Sequence, residues 1–440
     1  MSSIRTKLAR KSQEAGLPVE SHRSTSRLVV DLALAIGDDF LLIDGWCEGS
    51  VNGEMHLVAA ASGSHQPAKG HVPLLRKRRP DVSSALGITS TDLLGFVGCV
   101  PMAGRRPSEL DFVGQQEKWR VEITVAESAL NASRLFQGGL SSVDMRAQVE
   151  AHVLPVVKHD IFVEGEPVAE VIYKSPNCPD EAAINLVIPV YENFHFLRNQ
   201  LFAFSALSDD DCGITLVCDD PALTDRLLSW VRGWNATYRT PLRVVAHKQN
   251  SGFAAGCNTG AKAIHSDYTV LLNSDVLPSL DASDWIRRLT MPLRQGAAMT
   301  APVLLFPDGS VQHAGMAIEA SQEFPGFELP VHQWKGMPRT ALPRKPFAAQ
   351  LLSGAALAID SGLYQELGGM PTWLGKGDFE DVALSQAARE RGELLIVPGV
   401  EWTHLEASSY DRSGESDVLL TLAKSLILAE ASSGAIHGRS

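Results

Sequence analysis

From Ile184 onward the chain alternates short apolar runs with longer helical stretches, and this alternation constrains the fold more than any other feature. The runs are "INLVIP" at 184–189, "ITLVCD" at 214–219, "LRVVA" at 242–246 and "TVLLN" at 269–273. Runs so continuously aliphatic suit strands buried on both faces, the condition of a parallel sheet. A helical stretch follows each of the first three, and parallel neighbours need such crossovers. The expectation is an α/β, Rossmann-like fold with a mostly parallel sheet.

In such a sheet the carboxyl ends of the strands form one edge, and ligands bind there. Glu192 follows "LVIPVY", Asp219 and Asp220 follow "ITLVC", and Asp275 follows "TVLLNS". Glu380 and Asp381 open a helix read over "GDFEDVALSQAARERG", with Asp378 as candidate N-cap and Gly392 as candidate stop. Each acid also suits a plainer role, as a turn former or as a complement to a helix dipole worth about 0.3–1 kcal/mol. Taken together and in this order, the four clusters point to a site for a metal-bound diphosphate, because hard carboxylate oxygens hold divalent cations.

With 440 residues, two or three domains are expected. A hydrophobic fraction of 45% and a charged fraction of 20% belong to a folded globular chain. The formal charge of −12 argues against a nucleic-acid partner, which would want a basic domain. Six cysteines form no CxxC pair, so free thiols in a reducing, cytoplasmic setting are the simplest reading. No run reaches the roughly 18 apolar residues of a membrane span.

Residues 1–27 read as a flexible basic arm, with six Lys or Arg against two Glu, and leave room for peripheral contact with the membrane's inner face. Residues 28–170 read as a smaller all-β, sandwich-like accessory domain of short runs separated by Gly, Asn and Ser turns. In it, Arg76 to Arg79 read as a solvated loop and Trp46 as core. Residues 171–181 carry the Pro and polar character of a linker, 182–415 form the α/β domain, and 416–440 a closing amphipathic helix and tail.

Nine stretches in order, among them "VIPVYEN", "NSGFAAGCNTG", "LLNSDV", "PDGSVQHAG", "SGAALAI", "FEDVALSQAARERG" and "WTHLEASS", resemble the family 2 glycosyltransferases of the GT-A fold. The resemblance implies an inverting enzyme that moves a hexosyl or deoxyhexosyl group from a nucleotide diphosphate sugar to an acceptor hydroxyl. The acceptor would be a bacterial surface polysaccharide, a lipid-linked glycan or a protein. It further implies that Pro189, Tyr191 and Glu192 line the nucleoside and that Asp219 pairs with the base. Asn250, Gly252, Phe253, Asn258 and Gly260 would cradle the donor. Asn273 and Asp275 resemble the DxD element, with Asp275 ligating Mn2+ or Mg2+, His404 completing the metal site and Asn273 offering its amide to the ribose. Glu380 and Asp381 resemble the ED pair whose aspartate is the base. His313 matches a recurrent position and reads as structural.

Three departures stand out: Pro221 after Asp219 and Asp220, Asn273 in place of an acid, and Ala383 where relatives carry another acid. "IDGWCEG" and "LLGFVGCV" resemble a β-rich module attached to some bacterial glycosyltransferases. Two other readings stay open, a sugar nucleotidyltransferase and a noncatalytic protein that binds glycan or nucleotide sugar.

Overall fold

The computed structural model describes residues 27–36, 40–48, 58–61, 72–77, 79–87, 94–101, 107–113, 118–126, 167–192, 194–205, 212–279, 284–322, 324, 326–375, 377–405 and 417–432, with isolated positions at 146, 150 and 154. The basic arm at 1–26 and the tail after 432 lie outside them. Two compact units are present, one made of Met1–Ile161, Ser321–Phe327 and Arg412–Ser440 and the other of Phe162–Ala320 and Glu328–Asp411.

The first unit holds two sheets. Strands β1 (Leu28–Ile36), β2 (Phe40–Cys47), β5 (Leu75–Lys77), β6 (Gly95–Pro101) and β9 (Val125–Ala126) form one, in the order β5-β6-β2-β1-β9. Strands β3 (Val58–Ala61), β4 (Val72–Pro73), β7 (Glu109–Val113) and β8 (Lys118–Glu122) form the other. β8 shows why they pack: Trp119 and Val121 are buried while Lys118, Arg120 and Glu122 are exposed, the period of a strand with one face on a core. Phe96 of the first sheet meets Phe112 of the second at 5.4 Å between ring centres.

Two expectations fail in this unit. Arg76 and Lys77 lie in β5, and Arg79 precedes helix α1 (Pro80–Leu86) and pairs with Asp31 at 2.6 Å, so the basic run is not a solvated loop. Trp46, by contrast, is core. Helix α8 (Asp417–Ser432) groups with this unit and is buried on every face from Leu422 to Leu428, Lys424 included, where one apolar stripe was expected.

The second unit is built on one mixed sheet. Strands β11 (Glu181–Val190), β12 (Cys212–Cys218), β13 (Leu242–His247) and β14 (His265–Leu272) are parallel and adjacent. Helices α2 (Leu197–Ser205), α3 (Thr224–Tyr238) and α4 (Phe253–Ala263) are the crossovers. The sheet continues past β14 through β21 (Ala356–Asp360), β16 (Met299–Leu305), β22 (Leu394–His404) and β15 (Val276–Pro278). Alternate residues of each strand feed opposite cores: Leu186, Leu216 and Val270 face one side, and Val187, Val217 and Leu271 the other. Strand β10 (Ala169–Lys174) pairs antiparallel with β13. The stretch read as a linker therefore begins inside an edge strand, which suits its Val171, Ile172 and Tyr173 better than a tether does.

Smaller pieces flank this sheet. β17 (Val311–His313) pairs with β16 and β20 (Phe347–Ala349) with β22, while β18 (Met316–Ala320) and β19 (Glu328–His332) form a separate hairpin. Helix α7 (Glu380–Arg389) starts after Phe379, not from an Asp378 cap: both residues take left-handed φ, 74° and 72°, and no side chain caps the helix.

Candidate active site

The parallel strands end together, so the residues after β11, β12 and β14 share one edge. After β11, Tyr191 and Glu192 are exposed, and Glu192 takes a φ of 59°, uncommon outside glycine. Pro189 lies under α4, within 3.3 Å of where a side chain on Gly256 would begin.

After β12, Asp219 is only 4% exposed, and its carboxylate is occupied on both oxygens. Oδ1 accepts the Ser251 N–H at 2.8 Å and Oδ2 the Gly252 N–H at 2.8 Å. His247 Nδ1 donates to Oδ1 at 2.7 Å, since a carboxylate cannot donate, and His247 Nε2 meets the Thr259 hydroxyl at 2.8 Å. Asp219 thus holds the loop that carries Asn250 and Gly252 against the sheet. Asn250 Oδ1 also accepts the Gly252 N–H, at 3.1 Å, and Gly252, with φ 89°, turns the chain into α4.

Asn258 likewise faces inward. Its Oδ1 accepts from the Tyr364 hydroxyl at 2.6 Å and the Met370 N–H at 2.9 Å, and its Nδ2 donates to the Met370 carbonyl at 2.8 Å. These bonds go to Tyr364 within α6 (Ser361–Glu366) and to Met370 in the turn after it, so Asn258 pins α4 to that segment. Gly260 is needed for packing, because a Cβ there would lie 2.2 Å from Val187 Cγ1.

The end of β14 differs. Gln200, fully buried on α2, donates to the carbonyls of Asn273 and Val276 at 2.8 and 2.7 Å and so fixes the Asn273–Asp275 turn. Asn273 Oδ1 is buried without a hydrogen-bond partner, an arrangement that proteins rarely leave unfilled. Asp275 is buried, and the pairing of Val276 with His404 in the β15–β22 ladder brings His404 Nε2 to 3.3 Å from Asp275 Oδ1. Gln312 Nε2 donates to the His404 carbonyl at 3.3 Å, which turns its Oε1 to His404 Nδ1 at 2.7 Å. Nδ1 therefore carries a proton. In the neutral ring Nε2 is a bare lone pair facing a carboxylate, and two acceptors at that distance need a proton or a cation between them.

Among the described residues no three His, Cys, Asp or Glu side chains gather closely enough to hold a metal unaided. The donors present still fit Mn2+ or Mg2+, which commonly take one or two protein ligands and fill the remaining positions with substrate phosphate and water. Asp275 and His404 would be those ligands, with Gln312 orienting the imidazole as outer-shell acceptors do.

Asp381 reaches the same edge through three consecutive residues. Ser353 N–H donates to His313 Nε2 at 3.3 Å, Gly354 N–H to Asp381 Oδ2 at 2.8 Å, and Asn273 N–H to the Ala355 carbonyl at 2.8 Å. Burial, with Asp378 nearby, pushes the Asp381 carboxyl above the usual carboxylate value, although the Gly354 and Val382 N–H groups pull it back. Glu380 is buried beside it. His313 is neutral, driven well below the usual imidazole value by burial and then by His332 and His404. Its Nε2 also accepts the Gly315 N–H at 3.3 Å, and its Nδ1 lies 3.1 Å from His332 Nδ1.

Sequence reading missed Gln200, His247 and Gln312, whose roles depend on contacts 28 to 92 residues away. Only Gln312 carried a signal, as the neighbour of His313 in "VQHAG".

The architecture and this edge define a GT-A domain. Residues 186–356 match the family model "Glycosyl transferase family 2", so this part of the second unit is similar to that family. No curated protein matches the chain. Among solved structures, GalNAc-T7 with UDP, GalNAc and Mn2+ is 18% identical over 53% of this chain, with a TM-score of 0.41, and the match spans 45% of that protein's length. The mannosyltransferase PcManGT from Pyrobaculum calidifontis, in complex with GDP-Man and Mn2+, is 15% identical over 61% of this chain and 80% of its own, with a TM-score of 0.37. S. aureus TarS 1-349 is 11% identical over 58% and 75%, with a TM-score of 0.37. No helix among the described residues is long and apolar enough to cross a membrane.

Proposed function

We propose that this chain is a metal-dependent inverting glycosyltransferase that uses a nucleotide diphosphate sugar and glycosylates a hydroxyl of a surface polysaccharide, a lipid-linked glycan or a protein. The observation that carries the reading is the backbone link Gly354–Ala355, which sets Asp381 and Asn273 on adjacent residues at the edge where Asp275 meets His404. Asp381 takes the proton of the acceptor hydroxyl as that oxygen bonds to the anomeric carbon and the bond to the diphosphate oxygen breaks. A carboxylate with a raised affinity for protons is better matched to this work than an ordinary one. Asp275 and His404 would hold the divalent cation, which when bound would offset the charge of the departing diphosphate. Tyr191 and Glu192, exposed beside this edge, meet the nucleoside, and Asp219, Asn250 and Gly252 shape the wall of the donor site.

Purified protein screened against a panel of nucleotide sugars, with and without Mn2+ or Mg2+, tests this. Metal-dependent thermal stabilisation and release of nucleoside diphosphate with one donor are expected. Silence towards every donor and metal, in both readouts, would overturn the reading.

A further inference from the structure

Residues 329–359 contain no acid and four bases, Lys335, Arg339, Arg344 and Lys345, in a chain that averages an acid every nine residues or so. All four bases are exposed. Large apolar side chains surface in the same place. Nine stand exposed among the described residues, and three of them fall within seven positions here: Val331 at 42%, Trp334 at 38% and Met337 at 46%.

The backbone holds this display under strain. Trp334 takes a φ of 64°, a left-handed conformation that disfavours a bulky residue, and Gly336 follows at 78°. Three hydrogen bonds fix the turn: Gln333 N–H to the Gly315 carbonyl at 2.9 Å, Gly336 N–H to the Val311 carbonyl at 2.7 Å, and Met337 N–H to the Trp334 carbonyl at 2.9 Å. The Trp334 ring lies 6.4 Å from that of Phe347, which follows Lys345 by two residues. Glu401 pairs with Arg339 at 2.8 Å and Glu319 accepts from Gln333 at 2.8 Å, while Asp381 meets, within the tract, only the Gly354 backbone at its buried end. Lys335, Arg344 and Lys345 have no carboxylate partner among the described residues.

We propose that this tract docks on an anionic phospholipid bilayer. Val331, Trp334 and Met337 enter the headgroup layer, where an indole with one polar edge is at home, and Lys335, Arg344 and Lys345 meet lipid phosphates. The pairing of charge with apolar surface favours a bilayer over a soluble polyanion, which makes no use of the three apolar side chains; a protein partner carrying acids and apolar groups together would leave vesicles unbound in the test below. The tract hangs on β17, whose Gln312 holds His404, so docking brings the site's rim to the membrane surface. The proposal goes beyond the transfer reading and stands without it, since docking needs no donor.

Co-sedimentation of the full chain with vesicles is the test, using phosphatidylcholine alone and a mixture with phosphatidylglycerol. The wild type is expected to pellet with the anionic vesicles only, and less as salt rises. Joint substitution Lys335→Glu, Arg344→Glu and Lys345→Glu is expected to weaken this at least tenfold. Joint Trp334→Ala and Met337→Ala is expected to weaken it several-fold. Wild-type melting curves and donor-induced thermal shifts in both variants show that they are folded and read the transfer proposal separately. No pelleting of the wild type, undiminished pelleting of the charge-reversed protein, or pelleting indifferent to Trp334 and Met337 would each overturn it.

Discussion

At the end of β12, Asp219 accepts two backbone N–H groups and a histidine N–H, so both of its oxygens are engaged within the fold. At the end of β14, on the same edge, Asn273 keeps a buried carbonyl oxygen without a partner, and Asp275 faces an imidazole lone pair that a neutral ring cannot satisfy. In sequence the two look alike, each an acid after an aliphatic run. The difference lies in whether the fold itself meets the acid's hydrogen-bonding demand. Where it does, as at Asp219, the acid shapes the loop; where it does not, as at Asp275, a ligand has room to act.

The largest effect that would sharpen this contrast is at Asp381. Asp381→Asn is expected to lower turnover by about 10²–10⁴, the usual contribution of a general base, while the donor-induced thermal shift stays near that of the wild type. Undiminished release of nucleoside diphosphate would remove Asp381 from the role. Asp219→Ala comes next and is expected to act on stability: it strands the half-buried Ser251 N–H and His247 and leaves the Gly252 N–H only its longer bond to Asn250, at about 1–3 kcal/mol in a urea titration. If instead the protein melts normally and only nucleotide affinity falls, Asp219 is a ligand residue and the contrast breaks. Gln312→Leu frees the His404 tautomer and is expected to weaken Mn2+ binding about 10–100-fold by calorimetry, with Gln312→Glu retaining most of it because a carboxylate also accepts from Nδ1. Equal losses in the two variants would make Gln312 a packing residue only.

The strands of the second unit were legible because a parallel core writes itself locally: Leu186, Leu216 and Val270 need only their neighbours in sequence to announce a buried run. The acids at the edge were legible as positions and not as roles. Asp219 and Asn258 are identified as holding residues only once Ser251, His247, Met370 and Tyr364 are placed around them. His404 becomes a partner of Asp275 through the register of β15 on β22, which no local pattern encodes. Phe379 opens α7 in a conformation that its side chain does not favour, so Asp378, the better cap by chemistry, misled. β10 was hidden because an edge strand half exposed, next to Ser175 and Pro176, reads locally as a tether.

His313 offers the smallest effect, and it extends the contrast to a neutral acceptor. Gly315 and Ser353 both donate to its Nε2, and burial with His332 and His404 alongside holds its folded value well below the unfolded value near 6.5. Above the unfolded value both states are neutral there and the group adds no pH slope. As pH falls through it, the unfolded chain binds a proton that the folded chain refuses, and stability declines by about 1.4 kcal/mol per pH unit until the lowered folded value is reached. Melting temperatures of the wild type and of His313→Asn, compared from about pH 7.5 to 5, isolate this group because the other histidines contribute to both proteins. The variant is expected to start less stable, having lost an acceptor for two N–H groups, and to lose less as acid is added. Parallel slopes would mean that the ring takes up its proton inside the fold, and the Ser353 N–H that precedes the Asp381 contact would then have no acceptor at Nε2.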